Sequence, residues 1–421
     1  MNHNSIKKLI IYACTFILLL ILRDTFSIGI NKFIFLILYI LFSFTSSREE
    51  NIIFGSFLMP LLVGLPNNYI YLVMLLRLFY FKRISKKIAV CIGLAILVSI
   101  ILTMEAIFHN NLNLDIFIYV IDLLILVFYF DFKADRNILQ LIVFFYCLGV
   151  ACTGSIMVIS TLRVHSINDL LFGASRLGMY QMSYAEKGVM RVYLDPNYLG
   201  LFTISAITIG VNHLFYDNDK KFRIGIIVSL IVSLLCALLG LSRSFFIVLV
   251  IYAIFFLLLN GKVRASFLIV IVSFLTFFVV YRFMPGVVTA LNRRFSGDNL
   301  MTGNGRLYLI EMFYNVWKGS IITILFGVDL QKCNVHCMPL QLLFGGGILY
   351  FLAFVIYFVN IMKDSNRLNT ILKLRFILPF IATLLMCCTV PSAIGFVIQF
   401  PVFIAGYYFK SMKALSVHTL N

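Results

Sequence analysis

The residues in the polar segments of this chain that are best suited to bind a ligand are arginines. The candidates are Arg163, Arg176, Arg191, Arg243, Arg282, Arg293, Arg294 and Arg306. An arginine side chain stays charged and presents a planar set of N–H donors, so it can hold a phosphate through two hydrogen bonds at once. Arginines gathered at one site therefore predict the binding of a phosphate or diphosphate group.

Arg243 is the most informative of these arginines. It lies in the sequence Leu-Ser-Arg-Ser-Phe at 241–245, between two apolar runs and with almost no loop. A charge so close to an apolar segment is unfavourable unless it is paired or faces a water-filled cavity. We therefore interpret Arg243 as a binding residue, with an interfacial anchor or a structural ion pair as the alternative.

A second arginine, Arg306, begins a stretch with helical periodicity. Polar residues recur on one face at Asn304, Tyr308, Glu311, Asn315 and Lys318, and apolar residues on the other at Leu309, Ile310, Phe313 and Trp317. This pattern predicts an amphipathic helix along the outer surface, with Trp317 as an anchor at the membrane interface. Arg306 either faces the same site as Arg243 or is a solvated charge at a helix end.

His336 precedes an apolar run that contains three consecutive glycines at 345–347. A neutral imidazole could accept the proton of a sugar hydroxyl, and a protonated one could donate to a phosphate. A loop histidine without a chemical role is the alternative. The glycines predict close helix packing rather than a phosphate loop. Cys333 and Cys337 are near His336, but the sequence offers no fourth ligand, so no metal site is predicted.

The segment that leads from Arg191 to Gly200 has the pattern of a helix start. Asp195 is a favourable N-cap and Pro196 fits the first turn. Asp195 could instead orient Arg191 through an ion pair or act as a base toward an acceptor. Both interpretations stay open, and Asn197, the next polar residue, belongs to the same candidate site.

The composition requires that these residues be carried by membrane helices. Of 421 residues, 62% are hydrophobic and 12% are charged, which excludes an ordinary soluble domain. Apolar runs approach the length of about 20 residues that spans a bilayer. The predicted spans are 9–22, 25–44, 51–65, 67–81, 88–104, 114–130, 138–161, 194–212, 224–241, 245–259, 266–283, 338–360, 376–390 and 392–409. The sequence predicts an all-α integral membrane protein, one polytopic bundle of about 12–14 transmembrane helices over residues 1–421.

The net charge of +17, from 34 basic and 17 acidic residues, predicts the topology. Lysine and arginine concentrate in cytoplasmic loops, and their alternation along the chain places the N-terminus inside. Two longer loops, at about 162–193 and 284–337, then lie on the outer face. The first apolar run has no small-residue cleavage site and is interpreted as a retained span. Seven of the nine cysteines lie in apolar runs, so no disulfide framework is predicted.

From about residue 190 to 360 the chain resembles the bacterial O-antigen polymerases of the Wzy type and their relatives, the O-antigen ligases. The resemblance rests on Asp-Pro-Asn-Tyr at 195–198, Ser-Arg-Ser at 242–244, Gly-Arg at 305–306 and His336 before a glycine-containing helix. The N-terminal half is similar only as a set of apolar helices. His336 is followed by Cys337, where relatives commonly have asparagine.

The resemblance implies a glycosyltransferase of the hexosyltransferase type. It would transfer a growing O-antigen or capsular glycan from undecaprenyl diphosphate to a sugar hydroxyl of an incoming lipid-linked repeat unit. The implied place is the periplasmic face of a bacterial inner membrane. The implied partners are this lipid-linked oligosaccharide, membrane lipids, a chain-length regulator and a flippase, with no metal, cofactor or nucleic acid.

The resemblance also implies roles for the candidate residues. The catalytic set is His336, Arg243 and Arg306, and the substrate-binding set is Arg191, Asp195, Asn197, Arg293 and Arg294. Two alternatives remain. One is an O-antigen ligase with lipid A-core as its acceptor. The other is a transporter or flippase of lipid-linked sugar, for which Asp122, on one helix face with Asp115, is the intramembrane candidate.

Overall fold

The computed structural model describes most of the helical core. The described residues are 3–26, 28–61, 67–80, 132–163, 165–171, 177, 196–216, 221–240, 242–262, 264, 306–330, 332–333, 335–362, 370–390 and 396–418, with scattered positions between 89 and 107. Throughout these ranges the regular structure is helical and no strand occurs. The predicted spans 114–130 and 266–283 lie outside the described residues.

Fourteen helices have defined bounds within the described ranges. They are α1 (His3–Asp24), α2 (Lys32–Thr45), α3 (Arg48–Leu61), α4 (Asn67–Tyr80), α5 (Arg136–Leu162), α6 (Ile167–Leu171), α7 (Pro196–Tyr216), α8 (Arg223–Leu239), α9 (Arg243–Leu259), α10 (Arg306–Trp317), α11 (Ile321–Phe326), α12 (Met338–Met362), α13 (Thr370–Cys387) and α14 (Phe396–His418). Of these, α1, α5, α7, the Met338–Ile356 part of α12, and α13 are long and apolar enough to cross a membrane. The all-α polytopic membrane class is thus confirmed.

Several helix boundaries differ from the predicted spans, among them those of α2, α13 and α14. The span 25–44 becomes α2 from Lys32, because the Asn31 side chain caps the helix by accepting a 3.0 Å hydrogen bond from the Phe33 N–H. The spans 376–390 and 392–409 become α13, which begins at Thr370, and α14, which continues to His418. Basic residues at these helix ends can remain helical beyond the apolar stretch, so hydropathy alone places the ends incorrectly.

The core is built around α5 and α7. Helix α3 packs along α5, and α7 contacts α5, α8, α9, α13 and α14. The approach of α3 to α5 depends on Gly149, because a methyl group there would overlap the backbone carbonyl of Phe57. Near the centre of the bundle, the Ser205 hydroxyl donates to the Pro401 carbonyl of α14 over 3.1 Å.

One end of the bundle, which we call the Lys8 end, is held by basic side chains. Lys8 donates to Glu50 over 2.6 Å, and Arg77 donates to the Ser43 carbonyl over 2.9 Å at the end of α2. Arg375 donates to the Leu259 carbonyl over 2.7 Å. Arginine and lysine at helix C-termini satisfy carbonyls that have no partner within the helix. These residues lie at helix ends that the charge pattern assigns to the inside.

The opposite end, which we call the Ser242 end, joins α1, α5, α7 and α9. Ser160, near the end of α5, donates to the Asp24 carbonyl over 3.4 Å. Arg23 is fully buried there and pairs with Asp24 through two hydrogen bonds of 2.6 and 2.8 Å. Its guanidinium also lies 5.3 Å from the centre of the Phe35 ring. Arg23 is accounted for by this structural ion pair and is not a candidate for the site.

Candidate functional site

The predicted site residues divide into two groups. Arg191, Asp195, Arg293 and Arg294 lie outside the described residues. Asn197, Arg306 and His336 are described, and each is half-buried. Arg243 is described as the first residue of α9. The site is therefore built from the helix ends that carry Asn197, Arg243, Arg306 and His336.

The Asp-Pro-Asn and Ser-Arg-Ser segments meet through one hydrogen bond. Pro196 begins α7, and Asn197 follows in the first turn, where proline is favoured. Ser242 occupies the N-cap of α9, but it makes no capping hydrogen bond with its own helix. The Ser242 hydroxyl instead donates to Asn197 Oδ1 over 3.0 Å. The hydroxyl that would normally cap α9 thus connects the start of α9 to the start of α7.

Arg243 follows Ser242 directly, so this contact fixes its backbone at the Ser242 end. Arg223 is likewise the first residue of its helix, α8, but it lies beside Lys221 in a loop that the charge pattern assigns to the inside. A positive charge at a helix N-terminus is unfavourable because of the helix dipole. The concentration of basic residues in cytoplasmic loops accounts for Arg223. It does not account for Arg243, and this difference favours a binding role for Arg243.

Gly200 brings the end of α13 to the same place. A methyl group on Gly200 would lie 3.0 Å from Met386 Cε, 3.3 Å from Phe245 Cβ and 3.7 Å from Ser242 Oγ. The absence of a side chain at Gly200 therefore allows α7, α9 and α13 to approach one another. Met386 is the second-to-last residue of α13, so α13 ends at the Ser242 end of the bundle.

His336 is connected to this corner through the end of α13. Met338, two residues after His336, and Cys387, the last residue of α13, line the same apolar cavity. Interaction with Cys388 lowers the pKa of Cys337, the residue after His336, although partial burial acts in the opposite direction. Hydropathy does not predict this proximity, because Cys387 and Cys388 lie in an apolar run. The proximity places His336 at the same end of the bundle as Asn197 and Ser242.

Helix α10 confirms the two predicted faces but not the predicted anchor. Ile310, Phe313 and Trp317 pack against the small apolar cluster of Cys333, Val335 and Phe344, while Tyr308, Glu311, Asn315 and Lys318 are exposed. The Trp317 ring lies 5.6 Å from the Phe344 ring. The indole of Trp317 thus packs on the protein, and its place at a membrane interface stays a prediction. Helix α10, which begins at Arg306, is held by these contacts against the segment that leads to His336.

The three glycines at 345–347 lie where α12 packs closely on neighbouring backbone, as predicted. Helix α12 is interrupted at Gly347, which has a φ of 76°. The freed carbonyls of Phe344 and Gly345 accept hydrogen bonds of 2.9 and 3.2 Å from the Val328 and Asp329 N–H groups. A methyl group on Gly347 would overlap the Leu325 carbonyl. The interruption is therefore closely packed against backbone at Leu325–Asp329.

An apolar cavity of about 720 Å³ adjoins the His336 segment. It lies among α12, α13 and α14 and is lined by Met338, Pro339, Leu342, Phe351, Phe354, Val355, Val359, Ile377, Phe380, Leu384, Cys387, Val402 and Phe409. Met338 and Cys387 are the chain neighbours of Cys337 and Cys388. One end of the cavity is therefore next to these cysteines, and the other reaches Val359 and Phe409. Such a lining suits a hydrocarbon chain.

Comparisons with protein-family models and with characterised proteins find no match to this chain. Within the described ranges, no group of three or more His, Cys, Asp or Glu side chains is arranged to hold a metal ion. Four features at the Ser242 end bear on the function. These are the Asn197–Ser242 contact, the arginine at the start of α9, the His336 segment beside the end of α13 and the apolar cavity that adjoins it.

Proposed function

We propose that this protein is a polymerase of lipid-linked oligosaccharide repeat units. The observation that carries the proposal is the convergence of the Asn197, Ser242–Arg243 and His336 segments at one end of the bundle, although they are far apart in sequence. An arginine at the start of a helix and a histidine at the same end suit a reaction that releases a diphosphate. The N–H groups at the start of α9 add further donors for an anion.

The proposed reaction is a displacement at a sugar. A hydroxyl of the incoming repeat unit attacks the anomeric carbon of the growing chain, and the bond to undecaprenyl diphosphate breaks. Arg243 and Arg306 stabilise the negative charge that develops on the departing diphosphate, which is where electrostatic catalysis contributes most. His336 accepts the proton of the attacking hydroxyl. Asn197 positions the Arg243 backbone through Ser242.

The apolar cavity supports a lipid-linked donor rather than a soluble one. Its volume of about 720 Å³ and its lining suit part of an isoprenoid chain. Because Met338 and Cys387 lie at one end of the cavity, a chain seated there would present its head group beside the His336 corner. In the proposed reaction the diphosphate and the candidate base then lie at the same end.

The proposed location is the inner membrane of a bacterium, with the Ser242 end on the periplasmic face. The basic residues at the Lys8 end favour this orientation, because positive charge concentrates on the cytoplasmic side. The proposed partners are the lipid-linked repeat unit, a flippase that delivers it and a regulator of chain length.

Two related functions are distinguished by the product that accumulates when the gene is deleted. Loss of a polymerase leaves single repeat units attached to lipid A-core, whereas loss of a ligase leaves long chains on the lipid carrier. Loss of a flippase leaves lipid-linked repeat units in the inner leaflet. The interruption of α12 at Gly347 is a feature expected of transporters, but the carbonyls of Phe344 and Gly345 are bonded to backbone. The polymerase is therefore preferred.

Complementation of the deletion strain tests the proposal. The full-length chain should restore long surface polysaccharide, and Arg243→Ala should restore only single repeat units at an equal expression level. Arg223→Ala is the matched control, because Arg223 is also the first residue of a helix but belongs to the opposite end. Full chain length with Arg243→Ala would contradict the assigned role of Arg243. Accumulation of long carrier-linked chains in the deletion strain would favour the ligase.

A further inference from the structure

Asp329, in the segment that leads to His336, has a backbone conformation that is rare for its residue type. Its φ is 119°, a value that residues other than glycine seldom adopt, because the side chain crowds the backbone. Asp329 is also buried. A strained conformation persists only where the surrounding contacts hold it, and such residues concentrate at functional sites. We propose that Asp329 is a positioning residue for His336, an inference that rests on the proposed function.

Contacts to each of its polar groups hold Asp329 in this conformation. Its N–H donates to the Gly345 carbonyl of α12 over 3.2 Å, and its carbonyl accepts a 2.9 Å hydrogen bond from the Cys333 N–H. One carboxylate oxygen accepts from the Lys332 N–H over 3.4 Å. The other oxygen lies 3.2 Å from the Lys332 ammonium, an ion pair that contributes little because 69% of the lysine side chain is exposed. The carboxylate therefore closes a turn that runs from Asp329 to Cys333.

This turn packs directly on α12 at Gly345. A methyl group on Gly345 would lie 2.9 Å from Leu330 Cα and 3.0 Å from Cys333 Cβ, so the glycine allows the turn to approach the helix. Leu330 and Cys333 are buried there. The turn is therefore fixed against the same helix that begins just after His336.

His336 lies between this turn and the start of α12. Val335 is fully buried, and its carbonyl accepts a 2.7 Å hydrogen bond from the Cys337 N–H. Met338, the first residue of α12, is buried as well. The backbone of His336 is thus held on both sides, and Asp329 fixes the turn that leads to Val335. In the proposed reaction the imidazole must lie within hydrogen-bond reach of a sugar hydroxyl, so this placement affects the rate.

Two substitutions separate the backbone conformation of Asp329 from the contacts of its carboxylate. Glycine adopts a positive φ without strain, but it has no side-chain oxygen and more conformational freedom. Asparagine tolerates a positive φ and keeps an oxygen that can accept from the Lys332 N–H, without the charge. If Asp329 positions His336, Asp329→Gly should fold but release the His336 segment, and Asp329→Asn should retain it.

Chemical modification of His336 in the purified full-length protein tests the inference. The protein in detergent is treated with diethyl pyrocarbonate, which modifies accessible imidazoles, and the modified histidines are located by peptide mapping. His336 should be modified faster by about threefold or more in Asp329→Gly, because the segment opens more often. Asp329→Asn should keep the wild-type rate. Phe222→Gly is the matched control, since Phe222 also has a positive φ, of 55°, but lies at the start of α8 at the Lys8 end.

Extension of a lipid-linked oligosaccharide supplies the second readout. Asp329→Gly should lower kcat by roughly 10- to 100-fold and leave KM unchanged, because the turn places the base and does not bind substrate. Asp329→Asn should restore most of kcat, and Phe222→Gly should change neither kcat nor the modification of His336.

The inference is overturned if His336 is modified at the wild-type rate in Asp329→Gly, or equally fast in Asp329→Asn and Asp329→Gly. Equal acceleration in Phe222→Gly, or a wild-type kcat in Asp329→Gly, would overturn it too. The modification assay requires no activity. A wild-type protein that does not extend the glycan would therefore count against the polymerase alone, and the two proposals can fail separately.

Discussion

The hydroxyl of Ser242 donates a 3.0 Å hydrogen bond to Asn197 Oδ1, across 45 residues of sequence. This contact joins the first turn of α7 to the start of α9 and fixes the backbone of Arg243. Ser242 is buried, so the hydroxyl is shielded from water that could replace the contact. This hydrogen bond therefore fixes the starts of α7 and α9 relative to each other at the Ser242 end.

The Ser242–Asn197 hydrogen bond should appear as an energetic coupling. In a double-mutant cycle of Ser242→Ala and Asn197→Ala, we expect a coupling of about 1 kcal/mol in the free energy of unfolding, measured by denaturation in detergent micelles. Ser233 provides the control, since its hydroxyl donates within its own helix to the Ser229 carbonyl over 2.8 Å. Ser233→Ala should be additive with Asn197→Ala. Additivity of both pairs would contradict the assigned contact.

The interruption of α12 should depend on Gly347. Gly347→Ala places a methyl group against the Leu325 carbonyl in a backbone with φ of 76°. Gly261 has a similar φ of 70° but open space around it, so Gly261→Ala isolates the cost of the conformation alone. Overpacking adds about 1–3 kcal/mol, so Gly347→Ala should lower the free energy of unfolding by that much more than Gly261→Ala. Equal losses of unfolding free energy in the two variants would contradict close packing at Gly347.

The Lys8–Glu50 ion pair should make the stability of the fold depend on pH. Burial raises the pKa of Glu50, but hydrogen bonds from Lys8, Ser5 and the Ser47 N–H together lower it by more than burial raises it. The pKa of Glu50 is therefore below its ordinary value. A carboxyl with a lowered pKa stabilises the fold above its unfolded pKa of about 4.3 and loses this contribution as the pH falls through the folded value.

The variant Lys8→Met tests this pH dependence. It removes the 2.6 Å contact with Glu50 and the 3.0 Å contact with the Thr45 carbonyl. The thermal unfolding temperature should fall near neutral pH, and the decline between about pH 5 and pH 3 should become shallower. The exposed neighbour Lys7, changed to Met, is the control and should leave the profile unchanged. An unchanged acid profile in Lys8→Met would show that the pair does not shift the pKa of Glu50.

Local patterns in the sequence predict much of the fold. The span 138–161 matches α5, and on α10 the half-buried Ile310, Phe313 and Trp317 pack on the protein while the polar residues predicted from 308 to 318 are exposed. These features follow from hydropathy and helical periodicity over neighbouring residues. The start of α2 was misplaced because the Asn31 cap interrupts a continuous apolar pattern, and hydropathy does not register a hydrogen bond.

Contacts between distant segments could not be predicted in the same way. Ser242 and Asn197 were each recognised within a motif, but their hydrogen bond depends on how α7 and α9 pack. The approach of Met338 to Cys387 along one cavity depends likewise on the placement of α12 and α13, and no spacing along the chain encodes it. Sequence alone also does not show that Phe344 supplies an apolar surface for Trp317 on the protein itself.

The most direct test of the proposed polymerase is extension of a lipid-linked glycan by the purified full-length protein in liposomes. With an undecaprenyl-diphosphate-linked oligosaccharide as the sole substrate, the wild-type chain and Arg223→Ala should produce a ladder of multiples of the repeat unit. Arg243→Ala should extend the substrate at least about 100-fold more slowly, the loss seen when one group that stabilises developing negative charge is removed. A wild-type protein that produces no ladder, or an Arg243→Ala variant that extends at the wild-type rate, would contradict the account.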